Sequence, residues 1–550
     1  MEEFIKDQIY RVCRRLMSEL NRDVSSSAYG CFDRRFWAWK LVDFPEATFQ
    51  RNTHALGWFL QQPGNEPAKD QLVEAVRSGL IYAARIQHRD GSFDQAYPFE
   101  RSFGATGFLL ADLAVAYQSI EPMLGSADKD EIIKMLFQAG SFLARHHEGH
   151  GFISNHLAGA ALGLILTSRV AGVPDLEKNA EQLVRLIIKR QSPEGWFEEY
   201  GGADPGYQTL CMYYLAQIDS LIEMNALKNS LQKSLEFLQF FIQPDGTFGG
   251  EYGSRRTEIF YPGGIALLAS QNPIAARMYQ VMAQSLCRGT TVTLADMDMG
   301  NTAPLLMNMI LAHTAKTAPE TDYRLPFEQD QLERIFPAAG IAIRSQNGFW
   351  AVLGASNGGT IRVYDKPASQ MVYEDCGIRG ETNNGRRITS QVTDLGNALI
   401  ADNKKMTCET GMYFMSSSQP NPLNFLFLRF ANLTLMRIPL LNEWLKKIMV
   451  GMLITHRKKA PLTIKRTLEF NQNAVKLTDS IKATGKIQLQ QLTRGGKFVS
   501  IHMASARYFT PARQDPEWVN QLDVQELNTH GKLTAVRKVS LGNMKGRKSE

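Results

Sequence analysis

Three short phrases recur in the first half of the 550-residue chain and constrain its fold more than any other feature: Gln87-His-Arg-Asp90-Gly91-Ser-Phe93, Gln191-Ser-Pro-Glu194-Gly195-Trp-Phe197 and Gln243-Pro-Asp245-Gly246-Thr-Phe248. Their glycines lie 104 and 51 residues apart, two periods and one of a unit of about 50 residues. A missing copy should fall close to His147-Glu148-Gly149-His-Gly151-Phe152. Such a unit holds two helices with their turns, and it buries its apolar face only by stacking on its neighbours. Between the phrases the apolar residues keep helical spacing. In 71–86, Leu72, Val76, Leu80 and Ala83 or Ala84 form one stripe, and 131–144 and 181–188 are similar. The glycine of each phrase stops a helix by taking a conformation that side chains resist, and the following Phe or Trp folds back into the core. A ring of such hairpins is an α/α toroid, expected here as an incomplete barrel over residues 1–325 with its loops gathered around a central cleft.

Beyond about residue 330 the period changes. Residues 339–366 alternate apolar and polar side chains, with turn signals at Gln346-Asn-Gly348 and Asn357-Gly-Gly359, and 463–503 continue in the same style. This predicts an antiparallel β-sandwich over 326–530, followed by a basic disordered tail over 531–550. The fold class is thus α+β and multidomain. Net charge is +6, but residues 1–330 hold 30 basic and 39 acidic side chains whereas the remainder holds 31 and 16. A basic second half suits an anionic partner such as an acidic glycan or a membrane surface. It contains no recognised nucleic-acid module, so nucleic acid is not expected.

The first twenty residues lack the apolar core of a secretion signal. The longest charge-free apolar stretch lies between Glu148 and Arg169, and its continuous part is about half the roughly 20 residues of a membrane span. Six scattered cysteines without a CxxC pair fit a reducing cytosol. The expected location is therefore cytoplasmic, with peripheral membrane contact through 425–459 as an option. That stretch carries Arg429, Arg437, Lys446, Lys447, Arg457, Lys458 and Lys459 against Glu443. Leu441, Trp444, Leu445, Ile448 and Met452 fall on one helical face, with Lys446 and Lys447 towards another. It reads either as an interfacial helix on an anionic bilayer or as a helical insertion, about 423–459, packed on the sandwich with a solvated basic side. No phosphate loop, dinucleotide fingerprint or nucleophile elbow is present, and no cofactor or metal is expected.

Two phrases carry chemistry. Asn155-His156 opens an apolar helix, and Glu198-Glu199-Tyr200 leads through Asp204-Pro-Gly to Tyr207 at the start of the next. Asn155 and Tyr207 are 52 residues apart, about one repeat, so Asn155, His156 and Tyr207 can face one cleft. Arg255 and Arg256 follow the third turn phrase. Each residue also has an ordinary structural reading: a helix cap for Asn155, a wall residue for His156, an aromatic packing the helix start for Tyr207, and ion pairs with Glu251 or Glu258 for the arginines.

With these phrases the chain resembles the heparinase II/III-like polysaccharide lyases and their alginate-lyase relatives, which join an α/α toroid to an antiparallel β-sandwich. The resemblance implies a carbon-oxygen lyase that cleaves an acidic, uronate-containing polysaccharide by β-elimination, or a related uronate C5-epimerase, without an organic cofactor. It implies that Asn155 neutralises the uronate carboxylate, that His156 is a base or orienting group, and that Tyr207 is the general acid or base. Arg255, Arg256, Glu199 and Tyr364 are the implied substrate-binding residues. Removing the C5 proton needs the neighbouring carboxylate neutralised, which is why an amide or a cation belongs beside the acid-base pair. The chain departs from the family in one respect. Family members place a histidine in the early sandwich strands, whereas Gly358-Gly359-Thr-Ile-Arg362-Val-Tyr364-Asp365 has none, leaving Tyr364 or Arg362 to substitute. That departure keeps open a second class, a non-catalytic glycan-binding or polysaccharide-assembly protein at the membrane surface.

Overall fold

The computed structural model describes residues 2–149, 151–315, 320–402, 404–415, 421–438, 441–442, 458–495 and 520–540. Six helices form an inner ring: Asn52–Leu60, Phe103–Ile120, Ser154–Ala171, Pro205–Leu221, Gly263–Ala269 and Thr302–Thr314. Each touches the next. An outer layer consists of Glu2–Glu19, Lys69–Ile86, Ser126–Arg145, Pro174–Arg190, Asn225–Leu238 and Pro273–Arg288. The sequence dictates the two layers. Outer helices are amphipathic and bury one stripe, such as Leu176, Ala180, Val184 and Ile187. Inner helices are apolar nearly all round. Phe103–Met123 is long and apolar enough to cross a membrane by length and composition, yet 78% of its most apolar window is buried inside the ring.

The ring's ends meet, where the sequence suggested an incomplete barrel. Thr302–Thr314 packs against Asn52–Leu60, and the Trp58 and His313 rings lie edge to face at 5.9 Å. The first and last hairpins lack the turn phrase, so the repeat alone could not show the closure.

The phrase itself has a structural cause. Gln87 Nε2 donates to Gly91 O at 3.1 Å and to Met135 O at 2.9 Å, and Gln191 Nε2 donates to Gly195 O at 3.0 Å and Ser230 O at 2.9 Å. Each glutamine thus closes its own turn and ties it to the next outer helix. Gly195 sits at φ +98°, and a side chain there would run into the Lys233 carbonyl. Gln243 differs: it donates to the Tyr252 hydroxyl and accepts from Trp350 Nε1, both at 2.7 Å, so the third turn is tied to the β half.

The β half contains two antiparallel sheets. Leu332–Phe336, Ile341–Gln346, Phe349–Gly354, Thr360–Asp365 and Gln370–Asp375 form a five-stranded meander in chain order. It is buried on both faces, between the toroid and the second sheet. Among the described residues the second sheet has nine strands, with Lys405–Phe414, Lys459–Phe470 and Ala474–Ala483 adjacent within it. Along Lys459–Phe470, the residues Leu462, Ile464, Arg466, Leu468 and Phe470 alternate into the core. An α/α toroid followed by antiparallel sheets is the architecture expected from the sequence.

The expected disordered tail needs correcting. Lys532–Ser540 is a strand paired along its length with Ala474–Ala483. Leu533 and Val539 point inward while Lys532, Thr534 and Lys538 lie on the open side, so Lys532 and Lys538 belong to the solvent face of an edge strand, and Arg537 packs over the Tyr373 ring. Residues 541–550 lie outside the described residues. In the insertion, Pro422–Leu433 is a helix followed by a turn at Leu435–Arg437. Trp444, Leu445, Lys446, Lys447, Ile448 and Met452, on which the amphipathic reading rested, lie outside the described residues.

Candidate active site

Loops running from outer to inner helices carry the site, so its residues sit where the inner helices begin. Ser154 fixes the first junction: its N–H and hydroxyl both donate to Glu198 O, at 3.2 and 2.8 Å. Ile153 and Glu199 also pair as a short β-bridge. The segment 198–204 is thereby held against the helix that starts with Asn155 and His156. Asp204 fixes the second junction. Its Oδ1 accepts from Tyr207 N at 3.0 Å, capping the next inner helix, while Oδ2 accepts from Arg255 N at 2.8 Å and Thr257 N at 3.4 Å.

Asn155 is fully buried. Its backbone N–H donates to Glu199 Oε1 at 2.9 Å, its Nδ2 lies 2.6 Å from Glu199 Oε2, and its Oδ1 has no protein partner. His156 is part-exposed at the cleft wall. Glu148 Oε2 lies 2.6 Å from Nδ1, and the Tyr200 hydroxyl lies 3.4 Å from Nε2. The rings of Tyr200 and Tyr207 meet at 5.6 Å. The Arg255 guanidinium lies 4.3 Å from the centre of the Tyr200 ring and 6.0 Å from that of Tyr207.

Burial sets the electrostatics. It raises the Tyr207 hydroxyl to about 12 despite the opposing pull of Arg255, and it raises Tyr200 further. Both phenols therefore hold their protons at neutral pH. Burial also lifts Glu199 well above the carboxylate range, against the hydrogen bonds from Asn155. Asp204 is raised for the same reason.

The structure brings together Asn155, His156, Tyr207 and Arg255. Glu199 stands behind Asn155 as a support. The other two candidates lie elsewhere. Arg256 is buried at φ +58° and donates from Nη2 to Gln391 O at 2.9 Å, so it points into the β half. Tyr364 is fully buried in the five-stranded sheet. Glu251 and Glu258 both bind Arg362, which also lies 2.9 Å from Glu374. Glu251, Glu374 and Cys376 place their ligand atoms within 4.8 Å of one another, but Arg362 already supplies both carboxylates with a positive charge.

Sequence reasoning missed several polar residues of this interior. Glu148 lies in the degenerate fourth turn. Arg51 Nε donates to Asp112 Oδ2 at 2.5 Å and Nη2 to the Tyr214 hydroxyl at 3.1 Å, while His54 Nδ1 lies 2.9 Å from Asp112 Oδ1. Phe108 joins this cluster to the site, stacking on Tyr214 at 5.4 Å and meeting His156 edge-on at 5.2 Å. A signal was present: Asp112 is the single charge in the apolar helix Phe103–Ile120, and a buried carboxylate there requires a cationic partner.

A closed α/α ring with a cluster of titratable side chains at the start of its inner helices, backed by antiparallel sheets, is a fold that the chain shares with known polysaccharide lyases. Residues 64–265 match the family model described as the ulvan lyase N-terminal domain. Among solved structures, the chondroitin AC lyase of Streptomyces coelicolor A3, in complex with chondroitin sulphate, superposes with a TM-score of 0.54 at 11% identity. The match covers 90% of this chain and 67% of that one. A Paenibacillus xanthan lyase superposes with a TM-score of 0.51 at 10% identity, covering 89% of this chain and 46% of that one. At these identities the likeness is one of fold. A comparison with curated proteins finds no match.

Proposed function

We propose that the chain is a lyase that cleaves an acidic, uronate-containing polysaccharide by β-elimination in the toroid cleft. The observation that carries this reading is the convergence of Asn155, His156, Tyr207 and Arg255 from three successive repeats. The similarity of residues 64–265 to the ulvan lyase N-terminal domain supports it.

Each group has a role that its surroundings favour. With Nδ1–H donated to Glu148, His156 presents an unprotonated Nε2 to the cleft and takes the C5 proton. Tyr207, kept protonated by burial, gives its proton to O4 as the C4–O4 bond breaks and the C4–C5 double bond forms. Arg255 pairs with the uronate carboxylate and stabilises the enolate-like intermediate. Solvent then returns the proton of His156 to Tyr207.

Glu199 completes the carboxylate site. A separation of 2.6 Å is short for N–H···O and ordinary for O–H···O. A protonated Glu199 donating to the Asn155 oxygen satisfies that geometry. The amide then turns its NH2 to the position that has no protein partner, where a substrate carboxylate accepts it.

The test is ultraviolet absorbance over time on a panel of uronate polysaccharides, since elimination leaves a conjugated unsaturated uronate and hydrolysis does not. A rising signal that falls at least about 100-fold in Tyr207→Phe is expected. A flat trace across the panel overturns the lyase. Deuterium uptake at C5 without a rising signal would assign the cleft to an epimerase instead.

A further inference from the structure

The insertion exposes an apolar surface that the toroid and sheets leave uncovered. On Pro422–Leu433 the residues Leu423, Phe427 and Phe430 are 77, 72 and 64% exposed, and Phe425, Leu426 and Leu433 lie open beside them. The helix is attached through its other side. Arg429 Nη2 pairs with Asp43 at 2.8 Å, Arg101 donates to Arg437 O at 3.1 Å, and Asn442 Nδ2 donates to Phe99 O at 2.8 Å. These anchors fall on two toroid loops, one leading to Asn52–Leu60 and the other to Phe103–Ile120. The insertion therefore lies at the end of the ring where the cleft opens.

A second segment, almost 400 residues earlier in sequence, exposes apolar groups at the same place. Trp39 and Leu41, 66 and 77% exposed, flank Lys40 just before Asp43, the partner of Arg429.

We propose that Pro422–Leu433 and the Trp39–Leu41 loop together form a docking surface for an anionic lipid bilayer, which holds the mouth of the cleft against the membrane. Charge selects this occupant. No Asp or Glu occurs between 421 and 442, and 421–459 carries seven Lys and Arg against Glu443. Phe, Leu and Trp suit the headgroup–acyl boundary, and the excess of cations in this stretch of sequence favours an anionic surface, the composition of a surface-lying amphipathic element. A second copy of this chain would bring the same net positive stretch of sequence together, which disfavours self-association through this patch.

The experiment is sedimentation of the full chain with vesicles of phosphatidylcholine alone and of equal parts phosphatidylcholine and phosphatidylglycerol. The chain is expected to pellet with the mixed vesicles and to be released by salt. The triple variant Leu423→Ser, Phe427→Ser, Phe430→Ser should reduce the bound fraction at least about tenfold, with its melting temperature unchanged. The double variant Trp39→Ser, Leu41→Ser should weaken binding independently. Protein that stays in the supernatant with both vesicle types overturns the proposal, as does a triple variant that pellets like the wild type. Self-association abolished by the triple variant, without vesicle binding, would assign the face to a second copy and overturn it equally.

Discussion

Asp204 and Arg255 are 51 residues apart in sequence, yet the Asp204 carboxylate accepts the Arg255 N–H at 2.8 Å while its other oxygen caps the helix that begins at Tyr207. One side chain thus sets both the proposed acid and the cation beside it. Asp204→Ala removes a cap worth about 1 kcal/mol and leaves two further backbone donors unpaired. Thermal unfolding should show a loss of at least about 2 kcal/mol, and turnover should fall by more than the loss of folded protein explains. Asp204→Asn keeps the acceptor for Tyr207 but turns an NH2 towards the Arg255 and Thr257 N–H groups, so it should recover only the contribution of the cap.

Glu199 gives the chain a pH dependence whose sign is fixed. Its folded-state pKa is raised, so the folded chain keeps a proton that the unfolded chain releases above about 4.3. The stability linked to that proton is complete below the unfolded value and is lost as pH rises towards the folded one. The melting temperature of the wild type should therefore fall relative to Glu199→Gln as pH rises above the unfolded value. Gln can donate to the Asn155 oxygen at every pH, so its turnover should persist on the alkaline side where the wild type declines. Glu199→Ala should lose turnover throughout, and identical profiles for Gln and Ala would reduce Glu199 to a packing residue.

Glu148 holds the Nδ1 edge of His156 at 2.6 Å. Glu148→Gln leaves a neutral partner that no longer favours an imidazolium after proton abstraction, so kcat should drop at least about tenfold with KM little changed. A KM effect alone would place Glu148 in binding rather than in orienting the base.

Arg362 pairs with Glu251, Glu258 and Glu374, all buried where the toroid meets the sheet. Arg362→Met withdraws this shared cation from three buried carboxylates and should cost about 3–5 kcal/mol, read as a shift in denaturant midpoint. The deficit should shrink as pH falls and the carboxylates take up protons.

The repeats were legible because each phrase needs a glycine at positive φ and a glutamine side chain with a fixed task, closing the turn in the first two phrases and tying it to the β half in the third. The convergence of Asn155, His156 and Tyr207 followed from the same period. The choice between Arg255 and Arg256 was not legible. The turn closed by Arg256 N to Gly253 O, with Arg256 at φ +58°, sends adjacent side chains to opposite sides, one to the cleft and one to the sheet. Tyr364 misled for another reason. Both faces of its sheet are buried, so alternation along Thr360–Asp365 carries no information about which face meets the cleft. Glu148 was hidden because its turn has drifted from the phrase that marks the others.

The loop 251–258 bears Arg255 on one side and, on the other, hands Glu251 and Glu258 to Arg362 and Arg256 to Gln391. The strand that receives Glu251 and Glu258 and the segment at Gln391 that receives Arg256 stand behind the arginine that faces the cleft, so a shift in either reaches it through one short loop. Substrate preference in such a protein can drift through substitutions in the second half of the chain alone, leaving every residue of the ring as it was.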